Sequence, residues 1–230
     1  MIERVRLNLG AGAQDCPGWI NYDQSRAVLI ARSPVLRRLV RLAHRAGLAT
    51  KSDLLQWPEN TRVHDVTKGL PHPPDSVDVI FSSHMLEHLW PDQAQFILEE
   101  CHRVLKPGGA LRLIVPDLEV ITRAYVEKDH HHLRTDSTTP IADAYMEELA
   151  FHTPPKGGVL ERMVRRGLRT EDGGHKWMYD GESLAHRCRN AGFIEVRRVT
   201  YGEGRDQEAA QLDTRSSFHV HLEAFKDPGA

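Results

Sequence analysis

The chain has 230 residues, enough for one domain that buries roughly 70% of the surface of its unfolded state. Its 30 Lys and Arg residues nearly balance 32 Asp and Glu residues, so the net charge of −2 gives no reason to expect a nucleic-acid partner. The three cysteines are far apart, which excludes a disulfide framework and an evident zinc site and favours a reducing cytoplasm. With no apolar signal core and no run near the ~18 apolar residues of a membrane span, we expect a soluble protein.

The first predicted element is a buried strand that ends at Leu9 and runs into a glycine turn of Gly10, Ala11 and Gly12. Glycine permits unusual backbone dihedral angles and lets a ligand approach the backbone closely. The same pattern also occurs in ordinary tight turns, so the turn alone does not identify a binding site.

A second predicted strand, Trp19 to Tyr22, is followed by Asp23. An acid at this place grips ribose hydroxyls in dinucleotide folds, but there it follows the glycine turn by ~20 residues. Here the spacing is eleven residues, and Asp15 occupies the position of the third glycine of a G-x-G-x-x-G fingerprint. These departures count against NAD or FAD.

Residues 33–47 are predicted to form an amphipathic helix, with Ser33 as N-cap, Pro34 at the first helical position and Gly47 after the last turn. Apolar side chains fall on one arc and arginines on the opposite arc. The two sets are Val35, Leu36, Leu39, Val40, Leu42 and Ala43, and Arg37, Arg38, Arg41 and Arg45. We favour a helix packed on the domain with a solvated basic face, and keep a site for an acidic partner or a membrane surface as the alternative.

Strands and helices alternate through the next part of the chain. The predicted elements are a strand Arg62–Val66 that contains Asp65, an apolar strand Val77–Ser83, a helix from Pro91 to Leu105 and a strand Ala110–Val115. This alternation predicts a mainly parallel sheet with ligands at the carboxyl ends of its strands. The glycine turn, Asp23, Asp65 and the segment Ser82, Ser83 and His84 are therefore expected along one edge.

With these blocks in view, the sequence resembles the class I S-adenosylmethionine-dependent methyltransferases, in particular a small group that reads Leu-Asn-Leu-Gly-x-Gly and then Gly-Trp-Ile-Asn-x-Asp. The resemblance covers about the first half of the chain. Its blocks are Leu7 to Gly12, Gly18 to Asp23, Asp65, Val77 to Leu89, and Arg103 to Gly109.

The resemblance implies an α/β fold: a Rossmann-like, seven-stranded, mostly parallel sheet with an antiparallel last strand, helices on both faces and a helical lid after strand five. It also implies S-adenosyl-L-methionine as cofactor. Leu9, Gly10, Ala11 and Gly12 would pass under its methionine part and Asp23 would hold its ribose. Asp65 and Val66 would lie near the adenine, and Ser82 and Ser83 would complete the cofactor site.

The chain is expected to form a single domain, 1–230, with the lid at about 128–176, a polar segment with Gly and Pro residues and candidate helices at 141–151 and 159–168. Three consecutive histidines, 130–132, lie in it. Adjacent side chains point in different directions, so we interpret them as a solvated loop and predict no metal. Asp180 is predicted to cap a helix that ends at Gly192, and Phe193–Thr200 and Phe218–Phe225 are predicted as the last strands.

Methyl transfer is an in-line displacement that requires positioning, and a base if the acceptor is a hydroxyl. His84 directly follows the fourth strand and His175 can reach in from the lid, so these two are the candidate catalytic residues. The expected activity is methylation of a small molecule, with a sugar or secondary-metabolite hydroxyl as the acceptor. The alternatives are a catalytically silent cofactor-binding subunit and, less favoured, a nicotinamide-dependent oxidoreductase or epimerase. The choice between monomer and homodimer stays open.

Overall fold

The computed structural model describes residues 4–14, 16–25, 27–46, 57–58, 60–151, 174–213 and 218–229. The strands in this part of the chain are β1 Arg6–Leu9, β2 Ile20–Asp23, β3 Thr61–Val63, β4 Val77–Ser83, β5 Leu105–Pro116, β6 Ile194–Arg198 and β7 His219–Phe225. The helices are α1 Ala27–Arg32, α2 Pro34–Arg45, α3 Pro91–Val104, α4 Leu118–Glu127, α5 Ile141–Leu149, α6 Gly181–Asn190 and α7 Gln207–Ala210. Short 3₁₀ turns lie at Val66–Lys68 and Leu86–His88.

The strands form one sheet in the order β3-β2-β1-β4-β5-β7-β6. The pairs among β1 to β5 are parallel, whereas β7 is antiparallel to both β5 and β6. The predicted α/β fold with a mostly parallel sheet and an antiparallel last strand is thus confirmed. The strand order reverses at β1 and β4, which is where ligands bind in open sheets of this kind.

The core lies on both faces of the sheet. The central strand β4 lies between β1 and β5 and is covered on each face. Ile80 packs with α3 and α6 on one face, where Ile97 and Leu184 are fully buried. Phe81 points to the other face and packs with Trp19 and with the short helix α7. A strand covered on both faces needs an almost unbroken apolar run, which explains why β4 has the predicted bounds.

Two predicted boundaries were wrong. The strand expected at Arg62–Val66 covers only Thr61–Val63, because Asp65 instead accepts a hydrogen bond from the backbone N–H of Thr67 (3.3 Å) and begins a 3₁₀ turn. The strand expected at Ala110 begins at Leu105, directly after α3. Neither change moves the carboxyl edge of the sheet away from its predicted position.

The helix expected at 33–47 is present as α2, with Ser33 as its N-cap, and Gly47 lies outside the described residues. Its expected packing was wrong. No side chain of α2 is buried, and Val35, Leu39 and Leu42 are more than half exposed. The periodicity of the sequence predicts an apolar face, but it does not say what covers that face.

In the second half of the chain, α5 packs against α4 through a small cluster of buried side chains: Ile121, Ala124, Leu133, Ala144, Leu149 and Met178. Residues 128–151 therefore have a local core. The candidate helix at 159–168 lies outside the described residues, and the lid stays a prediction. Asp180 caps α6 as predicted, since its carboxylate accepts a hydrogen bond from the backbone N–H of Ser183 (2.7 Å). Among the described residues, every helix is too short or too polar to pass through a bilayer.

Candidate active site at the carboxyl edge of the sheet

The glycine turn is held against β2 by its own backbone. The N–H groups of Gly10 and Ala11 both donate to the carbonyl of Tyr22, at 2.9 and 3.1 Å. Gly10 has a φ of 69°, and a Cβ added there would lie 2.6 Å from Cβ of Met85, so this glycine allows the turn to pack against the segment after β4. Gly12 has a φ of 56°, but a Cβ there would meet nothing within 4 Å, so its outer side is open.

Asp23 lies at the end of β2 and helps to shape this turn. Its carboxylate accepts hydrogen bonds from the backbone N–H of Gly12 (2.9 Å) and from that of Ser25 (2.7 Å). A carboxylate has about four acceptor positions, so it can bind backbone donors and a ligand hydroxyl together. The structure therefore places the expected ribose acid next to the turn despite the short first crossover.

Asp65 lies at the same edge, after β3. Its carboxylate accepts hydrogen bonds from the backbone N–H and the hydroxyl of Thr67, the latter at 2.6 Å. Val66 is buried in the main core. Ser82 is also buried, and its hydroxyl donates to the carbonyl of Leu9 (3.1 Å), so it ties β4 to β1. Ser83 ends β4 and is half-buried.

His84 is the first residue after β4, and its backbone is unusual. Its φ is 54°, a region that non-glycine residues seldom adopt and that often marks a functional site. Its N–H donates to the carbonyl of Ile114 (2.9 Å), and its ring lies 4.8 Å from that of His219, measured between centroids. Its Nδ1 is 3.0 Å from Oε1 of Glu87, while its Nε2 has no hydrogen-bond partner among the described residues.

The predicted histidine from the lid also reaches this region. His175 lies beside His88, with 5.2 Å between ring centroids, and its Nδ1 is 2.8 Å from the carbonyl oxygen of Leu149. Burial lowers the pKa of His175 below its usual value, while the nearby carboxylate of Glu87 opposes that shift. Because its pKa is lowered, the imidazole of His175 is expected to be neutral at neutral pH.

Sequence reasoning did not select Glu87, His88 or His219 as site residues. Glu87 is fully buried on the turn after β4, where an acid has no packing reason to be. The spacing His84-x-x-Glu87-His88 was the available signal, because residues three and four apart on a turn face the same side.

The three histidines at 130–132 do not form a simple solvated run. His131 and His132 lie with Asp129, and one ligand atom from each falls within 4.8 Å of the others. His132 Nδ1 is 2.5 Å from Asp129 Oδ2, but both side chains are about a third or more exposed. The absence of a metal from this segment stays a prediction.

Part of the chain is similar in sequence to methyltransferases. Residues 7–113, a little under half of the chain, match a family model described as a methyltransferase domain. A probable S-adenosylmethionine-dependent methyltransferase from Mycolicibacterium smegmatis is 52% identical over 62 residues, which are 27% of this chain and 23% of the relative. Malonyl-[acyl-carrier protein] O-methyltransferase 1 from Coxiella burnetii is 55% identical over 43 residues, 19% of this chain and 14% of the relative.

These matches support an S-adenosylmethionine-dependent methyltransferase. The matched segments are less than a quarter of the length of either curated relative. Among solved structures, a methyltransferase from Archaeoglobus fulgidus is similar over 97% of this chain and 86% of that chain, with 14% identity and a TM-score of 0.48.

Proposed function

We propose that this protein binds S-adenosyl-L-methionine at the carboxyl edge of β1 and β4 and transfers its methyl group to an oxygen of a small molecule. The observation that carries the proposal is the adjacency of two features: the glycine turn at Gly10 packs against Met85, and His84 stands one residue before Met85. The matched family model covers both features. The Coxiella burnetii relative is named as an O-methyltransferase, which supports oxygen as the acceptor atom.

In this proposal the open backbone at Gly12 faces the methionine part of the cofactor, and Leu9 and Ala11 complete the turn. Asp23 accepts the ribose hydroxyls, because two vicinal hydroxyls are best held by a charged acceptor. Asp65 and Val66 border the adenine, and Ser82 and Ser83 border the sulfonium.

The chemical step moves one methyl group. The acceptor hydroxyl loses its proton, its oxygen forms a bond to the methyl carbon, and the carbon–sulfur bond breaks with its electron pair left on sulfur. His84 is proposed to take the acceptor proton at Nε2, which is buried and has no hydrogen-bond partner among the described residues. Glu87, 3.0 Å from Nδ1, stabilises the imidazolium that forms. His175 stays the second candidate catalytic residue, and one of its ring nitrogens lies within 4.8 Å of a carboxylate oxygen of Glu87.

Calorimetry with S-adenosylmethionine, its demethylated product and NAD tests the cofactor assignment. We expect the first two to bind and NAD not to bind. Binding of NAD without binding of either sulfur nucleotide would refute the proposal. Methyl transfer is then assayed across hydroxyl, amine and thiol acceptors, and cofactor binding without turnover on any of them would indicate a silent binding subunit.

A further inference from the structure

Glu87 has a buried carboxylate that the fold does not satisfy. The residue is 0% exposed, and neither Oε1 nor Oε2 has a hydrogen-bond donor among the described residues. His84 Nδ1 approaches Oε1 to 3.0 Å, but this contact lacks hydrogen-bond geometry. A buried ionised carboxylate without donors is costly, so such a group normally has a cation beside it.

Two imidazoles meet this carboxylate. One ligand atom from each of Glu87, His88 and His175 lies within 4.8 Å of the others. This spacing suits three groups that surround one ion. Glu87 and His88 are adjacent on the turn after β4, and His175 joins them from a distant part of the chain because the N–H of Lys176 donates to the carbonyl of Glu87 (2.7 Å).

The outer nitrogens of both rings already have partners. His88 Nδ1 lies 3.2 Å from the carbonyl oxygen of Gly174, and His175 Nδ1 lies 2.8 Å from that of Leu149. A carbonyl can only accept, so each Nδ1 carries the proton and donates it. Each Nε2 is therefore left with a lone pair. This arrangement, in which the second nitrogen is oriented by a backbone carbonyl, is typical of metal-binding histidines.

We propose that Glu87, His88 and His175 form a binding site for a first-row transition dication such as Zn²⁺. Two imidazoles and one carboxylate are a donor set that suits Zn²⁺ and its neighbours, whereas Mg²⁺ and Ca²⁺ require oxygen ligands. This proposal replaces the expectation, drawn from the sequence, that the chain binds no metal. Three protein ligands leave a fourth position open, as in catalytic sites.

The role of the ion rests on the proposed methyltransferase function. The site lies directly after β4 and beside His84, where the acceptor oxygen is expected. An acceptor hydroxyl bound at the open position would lose its proton more easily, because a metal ion lowers the pKa of a bound oxygen. His84 would then receive that proton, while the charge of Glu87 would hold the ion instead of stabilising the imidazolium.

Co²⁺ is a suitable probe because its visible absorption reports the geometry and number of its ligands. The full chain is freed of metal with a chelator and titrated with Co²⁺, and Zn²⁺ is then added in competition. We expect one equivalent to bind with the strong absorption of a four-coordinate site, and Zn²⁺ to displace it. Six-coordinate spectra only, or no saturable binding, would overturn the proposal.

Substitutions show which residues bind the ion. Glu87→Gln and His175→Ala should each weaken Co²⁺ binding by more than the roughly 10–100-fold that loss of an outer-shell partner costs. His131→Ala is the matched control, because it removes a histidine from the other cluster with Asp129 and should leave the affinity unchanged. Loss of binding in His131→Ala, with binding kept in Glu87→Gln, would place the ion at the other cluster and refute the proposal.

The metal site and the methyltransferase function can be refuted independently of each other. Metal affinity is measured without cofactor, and binding of the demethylated product is measured for each variant as a test of folding. Product binding without Co²⁺ binding would refute the metal site alone. Co²⁺ binding without cofactor binding would refute the methyltransferase proposal and leave the site in place.

A separate observation concerns α2. Its apolar residues Val35, Leu36, Leu39 and Leu42 are 40–68% exposed, and its arginines lie on the opposite arc. The surrounding sequence, 24–52, contains seven Lys and Arg residues and no Asp or Glu. A helix with an exposed aliphatic face and an arginine-rich face is typical of helices that lie in a membrane interface.

We infer that α2 docks on a membrane surface of anionic phospholipids. The charge of this segment complements anionic headgroups, and each basic residue near such a surface contributes about 1 kcal/mol. The exposed aliphatic face supplies the apolar area that enters the headgroup boundary. A docked α2 would bring the domain to such a surface.

Vesicle flotation tests this inference. We expect the protein to float with phosphatidylglycerol vesicles at low salt, less at high salt, and not with pure phosphatidylcholine. Leu39→Gln should lose binding, whereas Val126→Gln, which changes an exposed apolar residue on α4, should keep it. Absence of flotation, equal flotation with both lipids, or self-association lost in Leu39→Gln would each overturn the inference, the last in favour of a second copy of the chain.

Discussion

His84 combines a proposed catalytic position with a strained backbone. At a φ of 54° a β-carbon is unfavourable, although Asn tolerates this region better than most residues. Truncation to Ala therefore changes the chemistry and keeps the strain, while Asn changes the chemistry and fits the backbone. Comparison of His84→Ala with His84→Asn therefore separates a catalytic role from a conformational one.

We expect His84→Asn to reduce the rate of methyl transfer by about 10²–10⁴, the usual cost of losing a general base. Affinity for S-adenosylmethionine should stay within a few-fold of wild type, because the proposed role of the imidazole is to act on the acceptor and not on the cofactor. Single-turnover kinetics and calorimetry measure the two quantities. Full activity in His84→Asn would reduce His84 to a packing residue.

Asp23 is expected to bind the cofactor and to support the turn. Asp23→Ala removes the acceptor of the Gly12 and Ser25 N–H groups together with the proposed ribose contact. We expect cofactor affinity to fall by ~2 kcal/mol or more, the scale of a lost charge-assisted hydrogen bond in a partly buried site. Calorimetry against the demethylated product checks this, and an unchanged affinity would place the ribose elsewhere.

At the scale of elements, Gly10 and Gly12 are expected to respond differently to substitution, because only Gly10 packs against the segment after β4. Gly10→Ala would force a Cβ to within 2.6 Å of Met85, so we expect a loss of at least ~1–3 kcal/mol in the free energy of unfolding. Gly12→Ala meets no such obstacle and should be the milder change for stability while it weakens cofactor binding. Urea unfolding and calorimetry of both variants test this, and equal losses of stability would contradict it.

A feature of the fold or of the candidate site could be predicted from the sequence where its physical cause is local. The bounds of β4 follow from an apolar run, and the start of α6 follows from a capping carboxylate at Asp180. The exposure of α2 does not follow, because amphipathicity cannot show which face is covered. The meeting of Glu87 with His175 does not follow either, since it depends on two segments that only the tertiary fold brings together.

At the scale of the whole molecule, one buried charge network holds the connection between β6 and β7 against the sheet. Arg112, in the middle of β5, is 0% exposed and forms an ion pair with Asp213. Its guanidinium also donates to the carbonyl of Glu203 (2.8 Å), and Glu223 lies 3.6 Å away. Most partners of this buried arginine therefore lie in residues 199–213, which close over it, and Glu223 on β7 adds a further carboxylate.

The same network predicts how stability depends on pH. Burial alone would raise the pKa of Asp213, but hydrogen bonds from His221 (3.1 Å) and Arg112, with the N–H of Gly202 (2.9 Å), outweigh it and hold the pKa below its ordinary value of 3.8. A carboxyl whose pKa is lower in the folded state contributes stability above its unfolded pKa. That contribution is lost as the pH falls through the folded-state value.

Asp213→Asn tests this at both ends of the pH range. At neutral pH it leaves Arg112 buried without the nearer of its two carboxylate partners, so we expect the free energy of unfolding to fall by about 3 kcal/mol, the cost of breaking a buried pair. Below the ordinary pKa of an aspartate, wild type begins to lose the same contribution by protonation, so the difference between the two proteins should narrow. Asp227→Asn, at an exposed position, is the control and should follow wild type throughout. Urea titrations at a series of pH values measure the difference, and a gap that stays constant with pH would show that Asp213 acts through packing and not through its charge.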